Sequence, residues 1–505
     1  MGESRLNELL ARHHLDGLSN ENSLALLAEV IDLGSELGRE DAIAHAITLA
    51  EVFREQHPSP KEEALLLYFL GNAWDARRRL QTATNNGRWA WDLPAINEEI
   101  LAYRRALKHP AFPELDRLRR CQTLTNLGNV MSSLGRFVEA LEYFDRALRE
   151  DKNFGMAHAN RAACVMAYAG ALYDPGQQIV FAAEAARALE RAVALPLEPG
   201  FGQYFSNLLD RARNASASSR FVNISALRDF SLGSSAEEIR FRRWVLEERL
   251  FLNPLNDLGV YEVAGRDVIH LPTMRVDAEI ATGFHGFMNQ LKQEYAFART
   301  LLFESRNSDG DFTDRELGLI DTLDGTIFGA RAERSKIAFR SAYSILDKVS
   351  VFVSLYFRLG DEKVSFRDVW FVKRDQKKGV QPCFAGRANW PLRGLYWLAK
   401  DLYEDDPAFQ SAMTPEAQAT ATMRNRLEHR YVKVYREGAG TVFAPSADPF
   451  AYKIEERELE ARASRMLKLA RAALLYLALA VHVEESQNPR PDGPGVARGT
   501  LPNIE

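Results

Sequence analysis

Small and bulky residues recur at helical spacing through residues 22–196, and that recurrence limits what the chain can fold into more than any other feature of it. The clearest copy runs Leu124, Leu127, Gly128, Met131, then Ala140, Phe144 and Ala147. Residues three and four apart share one side of an α-helix, so each half of the copy is a helix with one apolar stripe. The small residues let two such helices approach, and a large one such as Phe144 fills the space between them. A second copy has Leu67, Leu70, Gly71 and Trp74, then Tyr103 and Ala106 after a longer connection through Trp89 and Trp91. A third has Ala162, then Ala185, Leu189 and Ala192 beyond a turn at Tyr173 to Gly176, and Leu33 to Leu49 reads as an earlier half-repeat.

This pattern resembles degenerate tetratricopeptide repeats (TPRs). The resemblance implies stacked helical hairpins whose concave face binds a protein regulator or trigger. A chain of 505 residues is expected to form two or three domains, and 46% apolar residues are enough to fill their cores. Pro196 and Pro199, followed by the polar stretch Asn214 to Arg220, mark a boundary. The expected division is TPR-like repeats over 1–200, a connector over 201–280, a helical bundle over 281–487 and a Pro/Gly-rich tail over 488–505. The connector has a helical pattern around Glu237 to Leu250, a turn at Asn253 to Gly259 and one short strand. The tail has the composition of a disordered segment.

From Gly283 onward the apolar spacing predicts helices over Gly286 to Glu304, Glu333 to Phe357, Pro391 to Tyr403, Pro415 to about Val432, and about Lys453 to Glu485. In the second of these, Ala338, Ala342, Ile345, Val349, Phe352 and Tyr356 form one stripe. The expected fold class is therefore all-α, a repeat array followed by a bundle of about five helices.

Several function classes lack support. A formal charge of −5 gives no global attraction to nucleic acid or to an anionic membrane, so any RNA contact must be a local patch. Cys121, Cys164 and Cys383 are too few and too far apart for a disulfide framework or a multi-cysteine zinc site, and read as small buried hydrophobes in a reducing compartment. The N-terminus lacks the apolar core of a signal peptide, and Ala472 to Val481 is far short of a membrane span, so a cytoplasmic protein without membrane contact is expected. There is no phosphate-binding Gly-x4-Gly-Lys loop and no nucleophile elbow. His13 with His14, and His270 with His285, lack the accompanying ligands of a zinc site, so neither a metal nor a cofactor is expected. Ser305 to Glu316 aligns with a calcium loop through Asn307, Asp309, Gly310 and Asp311, but Ser305 stands where aspartate is needed. A polar connection between helices is the favoured reading there.

The residues that point to chemistry follow Thr414-Pro415-Glu416, a threonine cap, a first-turn proline and a first-turn acid that together start a helix. That helix carries Arg424-Asn425-Arg426-Leu427-Glu428-His429. An arginine with four to six residues between it and a histidine occurs three times, at Arg39 to His45, Arg104 to His109 and Arg424 to His429. Only the third has an asparagine directly after the arginine and lies in the C-terminal bundle. Together with Leu252-Asn253-Pro254-Leu255-Asn256-Asp257-Leu258-Gly259 and Tyr343-Ser344-Ile345-Leu346-Asp347-Lys348, it makes residues 250–485 resemble a repeat-fused bacterial branch of the HEPN superfamily (higher eukaryotes and prokaryotes nucleotide-binding domains).

The resemblance implies a metal-independent endoribonuclease acting as a homodimer, with the two motifs meeting at the two-fold axis. His429 would be the general acid or base for attack of the RNA 2′-hydroxyl on its own phosphate, since imidazole titrates near neutrality. Arg424 would hold the phosphate and offset its growing charge, and Asn425 would orient histidine or substrate. By analogy the setting is a regulated toxin or an anti-phage defence effector. On a helix advancing about 100° per residue, Asn425 and His429 fall within about 40° of each other, with Arg424 about 140° from the histidine.

Arg424, Arg426, Arg430, Lys433 and Arg436 stand against Glu428 alone, a patch able to follow an RNA backbone. Tyr431 and Tyr435 are candidates to stack on unpaired bases. Asp347 and Lys348 either support the active face or form a surface charge pair. The alternative for the whole chain is a non-catalytic TPR/HEPN scaffold or RNA- or protein-binding module. In that reading Arg424 and Glu428 form an ordinary i,i+4 pair and the basic stripe is simply solvated.

Overall fold

A computed structural model describes residues 2–83, 87–217, 227–275, 278–307, 312–360, 363–403, 423, 427, 431–436, 451–487 and 496–497. Capping chemistry sets where helices begin. Ser59 accepts from the backbone of Glu62, whose side chain returns to the Ser59 N–H, and Pro60 occupies the first turn. The N-terminal part contains α1 (Gly2–Leu10), α2 (Asn20–Glu36), α3 (Glu40–Glu55), α4 (Pro60–Thr82), α5 (Pro94–Lys108), α6 (Arg117–Ser133), α7 (Phe137–Glu150), α8 (Gly155–Ala169), α9 (Pro175–Val193) and α10 (Gly202–Ala217).

Consecutive helices pack in pairs, α2 on α3, α4 on α5, α6 on α7 and α8 on α9, and α10 continues the stack against α9. The small-against-large pairs read from the sequence are in contact. A Cβ placed on Gly71 would lie 2.3 Å from the Tyr103 ring, and one on Gly128 would lie 2.7 Å from the Phe144 ring. Hydrogen in place of a side chain is what allows each pair to close.

After α10 come α11 (Ala236–Glu247), the one-turn α12 (Leu255–Leu258) and β1 (Met274–Arg275). The C-terminal helices are α13 (Ala278–Asn307), α14 (Ala330–Tyr356), α15 (Trp390–Tyr403) and α16 (Glu456–Gln487). Helices α13, α14 and α16 pack on one another, and α15 lies on α16. The protein is all-α, with two minor sheets. β2 (Thr326–Ile327) runs antiparallel to β3 (Tyr431–Tyr435), which runs parallel to β4 (Ala451–Glu455). In the tail, whose composition predicts disorder, β5 (Val496–Ala497) pairs antiparallel with β1.

Two helical expectations need correction. The helix expected to reach Val432 does not, because Tyr431-Val432-Lys433-Val434-Tyr435 alternates β-branched valines that are buried on the strand β3. The last helix starts at Glu456 and not near Lys453, since residues 451–455 supply the parallel partner strand. Helix α16 also exceeds what its ten most apolar residues suggest. Its 32 residues are long and apolar enough to cross a membrane, but 78% of its most apolar 18-residue window is buried inside the protein, as in a core helix.

The segment expected to be a connector is densely bonded. Arg471 of α16 is 1% exposed and donates to the Phe251 carbonyl at 2.5 Å, to Asp257 Oδ1 at 2.6 Å and to the Asn253 carbonyl at 3.0 Å. The other oxygen of Asp257 accepts from Tyr168 of α8 at 3.1 Å. The Asn256 amide ties the turn back to Leu246, and Asp267 holds Arg299 of α13. Arg471→Met leaves a buried carboxylate without its cation, and is expected to cost about 3–5 kcal/mol in urea unfolding followed by tryptophan fluorescence. A cost below about 1 kcal/mol would show that the pair is dispensable.

Candidate functional site

Arg424, Asn425, Arg426, Glu428, His429 and Arg430 lie outside the described residues. Their neighbours Met423 and Leu427 are helical. Four residues apart, the two share a helix face; Met423 is fully buried and Leu427 packs partly buried against the core. Met423 meets α16 at Arg462, whose Nη1 is 4.0 Å from the methionine sulfur and donates to the Tyr452 hydroxyl at 2.7 Å. Arg462 is thus shared between Met423 and strand β4.

Strand β3 carries the downstream candidates. Tyr431 is 40% exposed and lies beneath the Lys433 ammonium, which is 5.7 Å from its ring centre. Lys433 is mostly covered and donates to Asp324 at 2.9 Å, tying the turn before β2 to the strand that follows the motif. Thr322 and Thr326 hydroxyls each donate to Asp324 at 2.6 Å and, with Lys433, hold its carboxyl well below the usual range. Arg436 is exposed. Tyr435 is 2% exposed, so it is buried and not available to stack on a base. Tyr435 lies at the end of β3 between its two partner strands, opposite Thr326 and Glu455.

Lys348 and Asp347 sit on α14. Lys348 donates to both oxygens of Glu294 on α13, at 2.5 and 2.6 Å, and Asp347 Oδ1 accepts from the Phe366 backbone at 3.4 Å. The first contact joins two helices, and the second ties α14 to the segment that follows it. Ser305, the first position of the calcium-loop alignment, is buried within α13 with its hydroxyl on the Leu302 carbonyl, and Asp314 caps the start of α14 through Ala330. Among the described residues no cluster of three potential metal ligands occurs.

The other two arginine–histidine spacings have separate explanations. Arg39 pairs with Asp41 at 2.6 Å and His45 bonds the Arg12 carbonyl at 2.9 Å. Arg104 is buried, and it clamps Asp401 of α15, donating through Nη2 at 2.8 Å. Arg136 reaches the same carboxylate at 2.5 Å. This triad was not recognisable from the sequence, because Asp401 is 297 and 265 residues from its two arginines and each member alone looks like a surface charge.

Around it the N-terminal and C-terminal helices meet closely. Trp397 donates to the Trp91 carbonyl at 3.0 Å, and Trp91 stacks on Phe384 with ring centres 5.8 Å apart. Gly135 adopts φ 81°, and a Cβ there would lie 2.0 Å from the Trp390 carbonyl, so backbone touches backbone.

Burial alone would raise the Asp401 pKa, but the guanidiniums of Arg104 and Arg136 outweigh it and hold the carboxyl well below its usual range. A depressed folded-state pKa contributes stability above the ordinary carboxylate pKa and loses it as pH falls. Asp401→Asn is therefore expected to cost about 3–5 kcal/mol at neutral pH. The gap between wild type and variant should narrow as pH is lowered below about 5, read from urea midpoints across a pH series. A gap independent of pH would contradict the assigned ionisation.

No curated protein and no solved structure matches the chain. Residues 276–484 match the family model described as LA2681-like HEPN. That stretch spans α13 to α16, the β2–β3–β4 sheet and the segment between α15 and β3 in which Arg424 to His429 fall. The C-terminal part of the chain is thus similar to the LA2681-like HEPN family, in agreement with its helical fold.

Proposed function

We propose that the C-terminal domain is a metal-independent endoribonuclease built around Arg424, Asn425 and His429. The observation that carries this reading is the family match over residues 276–484, which encloses the one arginine–histidine spacing with an asparagine after the arginine. The carboxylate partners of Arg39 and Arg104 support assigning the motif to the third spacing.

In the proposed reaction His429 takes the proton from a ribose 2′-hydroxyl as its oxygen attacks the adjacent phosphorus. The P–O5′ bond breaks, and a proton returns to the leaving 5′-oxygen. Arg424 pairs with the non-bridging oxygens as they gain charge, and Asn425 orients histidine or substrate. The products are a 2′,3′-cyclic phosphate and a 5′-hydroxyl. The need for a 2′-hydroxyl selects RNA over DNA. A second copy of the chain brings its own motif to the two-fold axis, completing the phosphate site.

Arg426 and Arg430 within the motif region, with exposed Tyr431 and Arg436 after it, are proposed to guide the RNA strand. Lys433 joins them where its pair with Asp324 opens. The TPR-like repeats are proposed to bind a regulator or trigger in the cytoplasm, which fits a toxin or defence effector held off until needed.

The test is incubation of the full chain with total RNA, alone and with a chelator, beside His429→Ala and Arg424→Ala. Cleavage that survives chelation and falls by roughly 10²–10⁴ in both variants is expected. Intact RNA, or equal behaviour of all three proteins, favours the non-catalytic binding module.

A further inference from the structure

Helix α16 meets the start of α7 through Tyr476, whose hydroxyl accepts from the Val138 N–H at 3.0 Å and donates to Glu139. Beside this contact lies a cavity of about 480 Å³, lined by residues of both helices and by the end of α15. Volumes of roughly 300–1,000 Å³ are usual for small-molecule sites.

Its lining has one strongly charged side. Arg104, Arg136, Arg146, Arg306, Arg465 and Lys468 face three carboxylates, Asp401, Glu139 and Glu142. Asp401 is occupied by Arg104 and Arg136, and Glu139 by Arg136 and Tyr476. Glu248 and Glu460, which do not line the cavity, reach Arg306 at 3.5 and 3.6 Å, and Glu248 reaches Lys468 at 3.7 Å. These separations exceed the 2.7–2.9 Å or so of a strong charge-assisted hydrogen bond, so both cations keep much of their capacity for another anion. Arg136 is 3% exposed and its buried Nε has no hydrogen-bond partner among the described residues. A buried guanidinium with an unmet donor is costly unless something completes it.

The rest of the wall is apolar. Leu398, Leu402 and Leu469 line it, with the Tyr143 ring beneath the Arg146 guanidinium at 5.5 Å. Guanidinium forks match phosphate oxygens in pairs, and an aromatic ring beside them suits a flat organic group.

We propose that this cavity binds a small organic diphosphate of nucleotide size, held between the repeat array and the HEPN-like domain. The phosphates lie toward Arg136, Arg306 and Lys468, and the organic part rests on Tyr143 and the leucines. The described lining is drawn from residues other than Arg424 to His429, and the proposal does not require the nuclease reading.

Isothermal titration of the full chain with ADP and with inorganic pyrophosphate tests it. One saturable site per chain is expected, weaker at high salt, with ADP the tighter ligand. Arg146→Glu combined with Arg465→Glu should lower affinity for both probes roughly tenfold or more while leaving the unliganded urea midpoint in place, because both residues are exposed. Tyr143→Ala should weaken ADP and spare pyrophosphate. Saturable binding of neither probe, or unchanged affinity in the double variant, overturns the proposal. So does a single-stranded RNA oligomer that displaces ADP and binds more tightly than it, since the cavity would then belong to a nucleic-acid path. His429→Ala, which removes the proposed nuclease, should bind both probes like wild type, so the two ideas fail independently.

Discussion

The ion pair of Arg471 with Asp257 sits where three parts of the chain converge, and the rest of the arrangement depends on it. Both side chains are 1% exposed, and removing two charges from water is costly unless every donor and acceptor is used. Here the cost is offset by saturation. The guanidinium also takes two backbone carbonyls of the turn at residues 251–253, and the carboxylate also takes the Tyr168 hydroxyl. Because α8 lies among the N-terminal helices and α16 among the C-terminal ones, the turn between them is fixed to both at once. A phrase that reads as a polar loop in the sequence is one of the most deeply buried parts of the molecule.

Much of the fold was legible because helices advertise themselves through spacing. The stripe from Ala338 to Tyr356 is buried along α14, and the Gly71–Tyr103 and Gly128–Phe144 contacts follow from the small-and-large pattern. What escaped were features set by distant partners. Tyr431 to Tyr435 alternates valines, a signal available in the sequence, yet it follows helix-forming residues and its partner strand is twenty residues further on. Local propensity therefore carried the helical reading too far, and pairing with Ala451–Glu455 decided otherwise.

The candidate site was legible in a different way. Arg424 to His429 stands out through resemblance, and the family match covers it, but spacing alone could not separate it from Arg39 or Arg104. The structure gives Arg104 a buried partner in Asp401, a role its spacing to His109 does not suggest. Conversely, Lys433 looked like one more cation in a basic run, and its link to Asp324 requires knowing that β2 lies beside β3. Charges acquire meaning from the groups they face, and sequence order does not report that.

Helix α16 has a consequence for how the molecule comes into being. It packs on α13, α14 and α15, supplies Arg471 to the turn and Tyr476 to α7, and it is translated after all of them. Until it leaves the ribosome, the faces of α13, α14 and α15 that it covers stay open to water, the condition in which nascent chains recruit chaperones or aggregate. The N-terminal helices pack chiefly on one another and can form ahead of that step, whereas the C-terminal helices are completed by it.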